Sequence, residues 1–185
     1  MIEIEIRAKV KNFDPIKKQL KKLKAEFVKT EKQADHIFGR DIDLDHEHKI
    51  IDGCFVARIR EKDDKKSLEF KEIKRNGICM EFNSPLANLK SGINFLNKLD
   101  FKEAFTVSKI REIYKYLDFE ICLDDVDQLG LFIEIEHPNS LQECLDLLKI
   151  IAPEAIIENK KYGDLMQELI NKKNENWPHP RIGII

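Results

Sequence analysis

The chain has 185 residues, 42% hydrophobic and 36% charged, with 32 Lys and Arg against 34 Asp and Glu for a formal net charge of −2. That length fits one ordinary domain, and the near-balance of charge excludes a global field that would draw in nucleic acid or an anionic membrane. No apolar run approaches the roughly 20 residues that a membrane helix needs, and no CxxC pair joins Cys54, Cys79, Cys122 and Cys144, so a cytoplasmic protein with reduced, structural thiols is expected.

The opening stretch from Ile2 to Val10 alternates strictly, with charges at Glu3, Glu5, Arg7 and Lys9, which is the period of a β-strand. Asp14 then reads as a helix N-cap with Pro15 at the first helical position. Ile16, Leu20, Leu23 and Phe27 continue at helical spacing and predict a helix over 14–28. Asp41, Asp43 and Asp45 lack the glycine and terminal glutamate of a calcium loop, so calcium is not expected there.

Strand-like runs follow at 55–61 and 67–74 around the polar turn 62–66, and Asn76-Gly77 marks a hairpin into 78–83. Ser84-Pro85 repeats the cap-then-proline signal, and Leu86, Leu89, Ile93, Leu96 and Leu99 predict a second helix reaching about residue 99. Further strands are read at 105–116, 119–124 and 131–136. His137-Pro138 ends them, Asn139 or Ser140 caps a third helix over 140–151, and 161–172 reads as a fourth. Residues 171–185 show no period and form a C-terminal tail to a domain of 1–170. His36, His46, His48, His137 and His179 are read as loop or surface residues.

The polar faces of these strands are unusual. Glu3, Glu5, Arg7 and Lys9 share one side of their strand, and so do Arg58 with Arg60, Glu69 with Lys71, Lys109 with Arg111, and Glu134 with Glu136. The opposite sides carry Ile4, Ile6, Ile59, Ile133 and Ile135 and need helices to cover them. Either the charged faces form a solvated surface laced with salt bridges, or the sheet curls until they look at one another across a lumen. About eight strands permit closure, which also removes exposed edges. Paired carboxylates repel unless a cation neutralises them, and hard divalent metals suit them; paired Arg and Lys suit a polyanion. The residues leave both readings open: a metal-bound polyphosphate site and a solvated face.

Taken in order, the motifs resemble the CYTH superfamily of class IV adenylyl cyclases and thiamine or inorganic triphosphatases. Glu3-Ile4-Glu5-Ile6-Arg7 is similar to its ExExK opening, with Arg in the Lys place. Phe55-Val56-Ala57-Arg58-Ile59-Arg60 resembles its LRIR strand, Leu68-Glu69-Phe70-Lys71 its LTxK strand and Val107-Ser108-Lys109-Ile110-Arg111 its KxR strand. The stretch from Leu123 to Glu136 is similar to LDxVxxLGxFxEIE and places the chain nearest the class IV cyclase branch, and Lys161 to Leu165 resembles the SYxxLL helix.

The resemblance implies an α+β fold, a closed eight-stranded antiparallel β-barrel tunnel flanked by helices. It assigns metal binding, of Mg2+ or Mn2+, to Glu3, Glu5, Asp124, Glu134 and Glu136. It assigns the polyphosphate to Arg7, Lys9, Arg58, Arg60, Lys71, Lys109 and Arg111, with Glu81 as an additional acid. The pattern departs at Cys79, where an Arg is usual, at Asn83 in place of a second Glu, and at Ile37 in place of an aromatic. The implied partner is a small-molecule triphosphate, with no nucleic acid and no membrane, and a homodimer is left open. In a cyclase the ribose 3′-hydroxyl attacks the α-phosphorus of ATP and pyrophosphate leaves. In a triphosphatase acting on ATP, thiamine triphosphate or inorganic triphosphate, water attacks the terminal phosphorus. A polyphosphate or nucleotide binder without catalysis is the third reading, and no general base is identifiable.

Overall fold

A computed structural model describes residues 4–43, 51, 53–72, 81–138 and 140–175. Its elements are β1 (Ile4–Val10), α1 (Asp14–Lys22), β2 (Glu26–Gly39), a 3-10 turn (Asp41–Asp43), β3 (Phe55–Lys62), β4 (Lys65–Glu72) and β5 (Glu81–Pro85). They continue with α2 (Leu89–Lys98), β6 (Lys102–Tyr116), β7 (Phe119–Val126), β8 (Gly130–His137), α3 (Leu141–Ile151), β9 (Ile156–Ile157) and α4 (Tyr162–Glu175). Glu3, the Asn76-Gly77 hairpin, Cys79, His46, His48 and residues 176–185 lie outside the described residues.

Hydrogen bonding orders the strands β5-β4-β3-β2-β6-β7-β8-β1-β9. The α+β class holds, but among the described residues the sheet is not closed and has nine strands, which corrects the expected closed eight-stranded barrel. The ninth strand is part of the reason. Ala8 and Lys9 pair with Ile157 and Ile156, and the Glu158 N–H donates to the Arg7 carbonyl at 2.8 Å. That edge of β1 is thus occupied by a short segment of the chain itself.

The chain groups into two compact units, Met1–Lys32 with Lys109–Lys161, and Gln33–Ser108 with Tyr162–Ile185. In the first, Ile6, Ala8, Ile121, Leu123, Ile133 and Ile135 turn to one face of the sheet. There they meet Ile16 and Leu20 of α1 and Cys144, Leu147, Leu148 and Ile151 of α3. Ser140 caps α3 by accepting a hydrogen bond from the Glu143 N–H at 3.2 Å. In the second unit, Phe38, Ala57 and Ile59 pack with Leu96 of α2 and Phe101. A Cβ at Gly92 would come within 2.5 Å of Leu86 Cδ2 and 2.9 Å of Ile59 Cδ1, so the absent side chain lets α2 lie close on β3.

Three helix boundaries differ from the sequence reading; α4 runs on to Glu175, past the expected end at 172 and into the stretch read as tail. α1 stops at Lys22 because Lys24 takes a left-handed φ of 59°, and the N–H groups of Lys24 and Ala25 donate to the carbonyls of Lys21 and Leu20. This closing motif satisfies the last helical carbonyls and turns the chain into β2. Phe27, which matched the helical spacing, therefore sits in a strand. Ser84 and Pro85 do not start α2. They end β5, opposite Leu68 and Ser67, and Asn88 is the true cap, accepting from the Ser91 N–H at 2.8 Å.

Candidate active site

The register of the first unit sets its charged residues in rows across one face. Arg111 pairs with Asp124, Asp124 with Phe132 and Phe132 with Lys9; Cys122 pairs with Glu134 and Glu134 with Arg7; Glu120 pairs with Glu136 and Glu136 with Glu5. All these side chains share the face turned away from α1 and α3, because each strand alternates with the apolar set above. The two-residue spacing read from the sequence is thus converted by antiparallel pairing into a patch two to three residues across.

Asp124 anchors this patch. It is 0% exposed and accepts from Lys109 Nζ at 2.8 Å, Arg111 Nε at 2.7 Å and Arg111 Nη2 at 2.6 Å. Burial alone would raise its pKa. The hydrogen bonds and charge of Arg111, with the charge of Lys109, outweigh that and hold the carboxyl below the usual range. Burial acts first on Lys109 too, and there it wins, leaving the ammonium below its ordinary pKa despite the attraction of Asp124. Arg111 is also opposed by burial, yet its bonds to Asp124 and the nearby Glu134 charge raise it.

Glu134, 4% exposed, joins two cations. Arg7 Nε donates to its Oε1 at 2.6 Å, and Arg111 Nη2 donates to its Oε2. Arg7 reaches further, from Nη2 to Glu5 Oε1 at 3.3 Å and from Nη1 to the Lys160 carbonyl at 2.9 Å. Lys9 lies 5.5 Å from the centre of the buried Phe132 ring.

Glu5, Glu134 and Glu136 can each bring one carboxylate oxygen within 4.8 Å of the others. Glu5 faces Glu136 in the register and Glu134 stands two residues before Glu136 on the same face of β8, and three carboxylate oxygens so placed fit a hard divalent cation. Asp124, assigned to the metal on resemblance, is not part of this trio; its oxygens accept from Lys109 and Arg111. Glu120, which the sequence reading did not single out, lies beside Glu136 in the register but outside the trio.

The second unit carries a charged face of its own. Arg60 grips Asp35 with two bonds of 2.7 Å. Arg58 donates Nε to Glu69 Oε2 at 2.8 Å and Nη1 to Asp35 Oδ2 at 3.3 Å, and Ser67 Oγ donates to Glu69 Oε1 at 2.9 Å. Lys71 is opposite Glu81 in the register, and Asn83 is opposite Glu69. Arg58 and Arg60 were foreseen as cations. Their carboxylate partner Asp35 was not assigned to the site.

Two histidines are not the loop or surface residues expected. His36 lies inside β2, with Nδ1 2.9 Å from Glu103 Oε1 and Nε2 3.2 Å from Glu61 Oε1. His137, 8% exposed, ends β8 and lies 3.2 Å from Glu143.

Residues 1–166 match the CYTH domain. A protein of Methanocaldococcus jannaschii, "Putative adenylate cyclase MJ0240", is 33% identical over 162 residues, covering 82% of this chain and 90% of that protein. Among solved structures, the PH1012 protein of Pyrococcus horikoshii OT3 is 26% identical with a TM-score of 0.68, covering 87% of this chain and 97% of that one. A Hippeastrum protein, "Putative adenylyl cyclase HpAC1", described with a dominant triphosphatase activity, shares the fold at 17% identity. Its TM-score is 0.64, and the match covers 90% of this chain and 96% of that one.

Proposed function

The chain belongs to the CYTH family, and from that premise we propose that it is a metal-dependent enzyme acting on a triphosphate, with class IV adenylate cyclase-like conversion of ATP to cyclic AMP and pyrophosphate. The observation that carries the reading is the first unit's charged face: a carboxylate trio able to converge within 4.8 Å, beside cations held by the buried Asp124. The one-third identity to a relative named as an adenylate cyclase supports the choice of reaction.

In this reading Glu5, Glu134 and Glu136 hold the metal, and Glu3 joins them on the strength of the family motif. Mg2+ or Mn2+ bound there supplies charge neutralisation at phosphate oxygens. Lys9, Lys109 and Arg111, with Arg7, take the phosphate chain; Arg58, Arg60 and Lys71, which the family motifs assign to polyphosphate, lie on the second unit's own charged face. Asp124 serves by orientation: two bonds from one guanidinium and one from an ammonium fix where those donors point before any substrate arrives. Such preorganised donors stabilise charge developing on a leaving pyrophosphate without reorganising during the reaction. The 1–170 stretch is taken as the catalytic domain.

The test is incubation of the pure protein with ATP and Mn2+ followed by separation of products. Cyclic AMP and pyrophosphate in equal amounts are expected. Orthophosphate without cyclic AMP would reassign the chemistry to attack by water on the terminal phosphorus. No turnover would remove the enzymatic reading.

A further inference from the structure

Among its contacts with the described residues, Arg7 bonds from one guanidinium to Glu134 at 2.6 Å, to Glu5 at 3.3 Å and to the Lys160 carbonyl at 2.9 Å. Two of its partners belong to the acidic trio. Its side chain is 11% exposed and that of Glu134 5%, whereas that of Glu5 is 43% exposed. The inner end of the contact is therefore desolvated and the outer end open to water. Only a fork can do this. A lysine in the same place has one nitrogen and could not span Glu134, Glu5 and a main-chain carbonyl in a fixed plane.

The same carboxylates cannot be fully neutralised twice. A divalent ion between Glu5, Glu134 and Glu136 would stand a few ångströms from the guanidinium, and like charges at such a distance in a partly desolvated setting repel strongly. We propose that Arg7 is a positioning residue, a resident counter-cation of Glu5 and Glu134 within the acidic trio, with Arg111 also on Glu134. It holds these two side chains together before the metal arrives and exchanges them for phosphate oxygens when a metal-bound triphosphate enters. This rests on the metal-binding reading above and adds to it a defined antagonism: Arg7 opposes the metal alone and favours the metal with its anion.

The consequence has opposite signs in two binding measurements on the full chain. Arg7→Gln keeps a donor for Glu134 but removes the charge. Calorimetry with Mn2+ alone is expected to show about tenfold tighter binding than wild type, because a repelling charge has gone. With preformed Mn2+–inorganic triphosphate as titrant, the same variant is expected to bind about tenfold more weakly. Arg7→Lys keeps the charge without the fork and controls for folding: its Mn2+ affinity is expected to stay within about threefold of wild type.

Weaker binding of both titrants by Arg7→Gln would reduce Arg7 to a structural support and overturn the proposal, as would unchanged binding of both. Absence of Mn2+ binding in wild type and both variants would overturn it as well. If wild type binds Mn2+ but no triphosphate, the proposed function and the exchange step fail. Tighter Mn2+ binding by Arg7→Gln would in that case still support the counter-cation assignment.

Discussion

Asp124 accepts hydrogen bonds from Lys109 and Arg111 while entirely out of contact with water, so its substitution tests how much of the site is also structure. Asp124→Asn keeps the shape but removes the buried carboxylate charge that Lys109 and Arg111 share, Arg111 retaining Glu134, and breaking a buried pair in this way costs roughly 3–5 kcal/mol. Chemical denaturation should show that loss; a variant within about 0.5 kcal/mol of wild type would mean the cations are paired elsewhere. At this scale the sequence was informative about the donors and less so about their partners. Lys109, Arg111, Glu134 and Arg7 stood out because each repeats at two-residue spacing in a motif. Asp35 did not, because no strand had been recognised around it, and a carboxylate becomes the partner of Arg58 and Arg60 only once the pairing of β2 with β3 is known. Pairing is a long-range property that local periodicity does not encode.

At the scale of elements, α3 covers much of the apolar face of the first unit, through Cys144, Leu147, Leu148 and Ile151. Its start depends on the Ser140 side chain, which accepts from Glu143 N. Ser140→Ala should cost about 1 kcal/mol, seen as a lower denaturation midpoint with an unchanged slope. An unchanged midpoint would show that packing alone fixes where the helix begins. Strands with strict alternation, such as β1 and β8, were legible almost to the residue. β2 was not: Glu26–Gly39 opens with five exposed residues and carries a charged or polar run that matches no buried-strand pattern. The preceding helix reading also ran on through Phe27, since nothing in the local spacing reveals that Lys24 will adopt a left-handed turn. A two-residue strand such as β9 is shorter than any periodic signal.

At the scale of the molecule, the described residues form a nine-stranded sheet that is not closed, in place of the expected barrel. The error has a physical source: alternation says which side of a strand is charged, but closure depends on what occupies each edge, and here Ile156 and Ile157 occupy part of one. The charged face survives that correction because it depends on register between neighbours, not on closure. Lys109, Arg111, Asp124, Arg7 and Glu134 meet within the first unit alone. The most direct test of the account is crystallography of the full chain with Mn2+ and a non-hydrolysable ATP analogue, using anomalous scattering to locate the metal. The account predicts a manganese peak within about 2.3 Å of carboxylate oxygens of Glu134 and Glu136 and in contact with the phosphate chain. A peak elsewhere, or analogue bound away from this face, would contradict it.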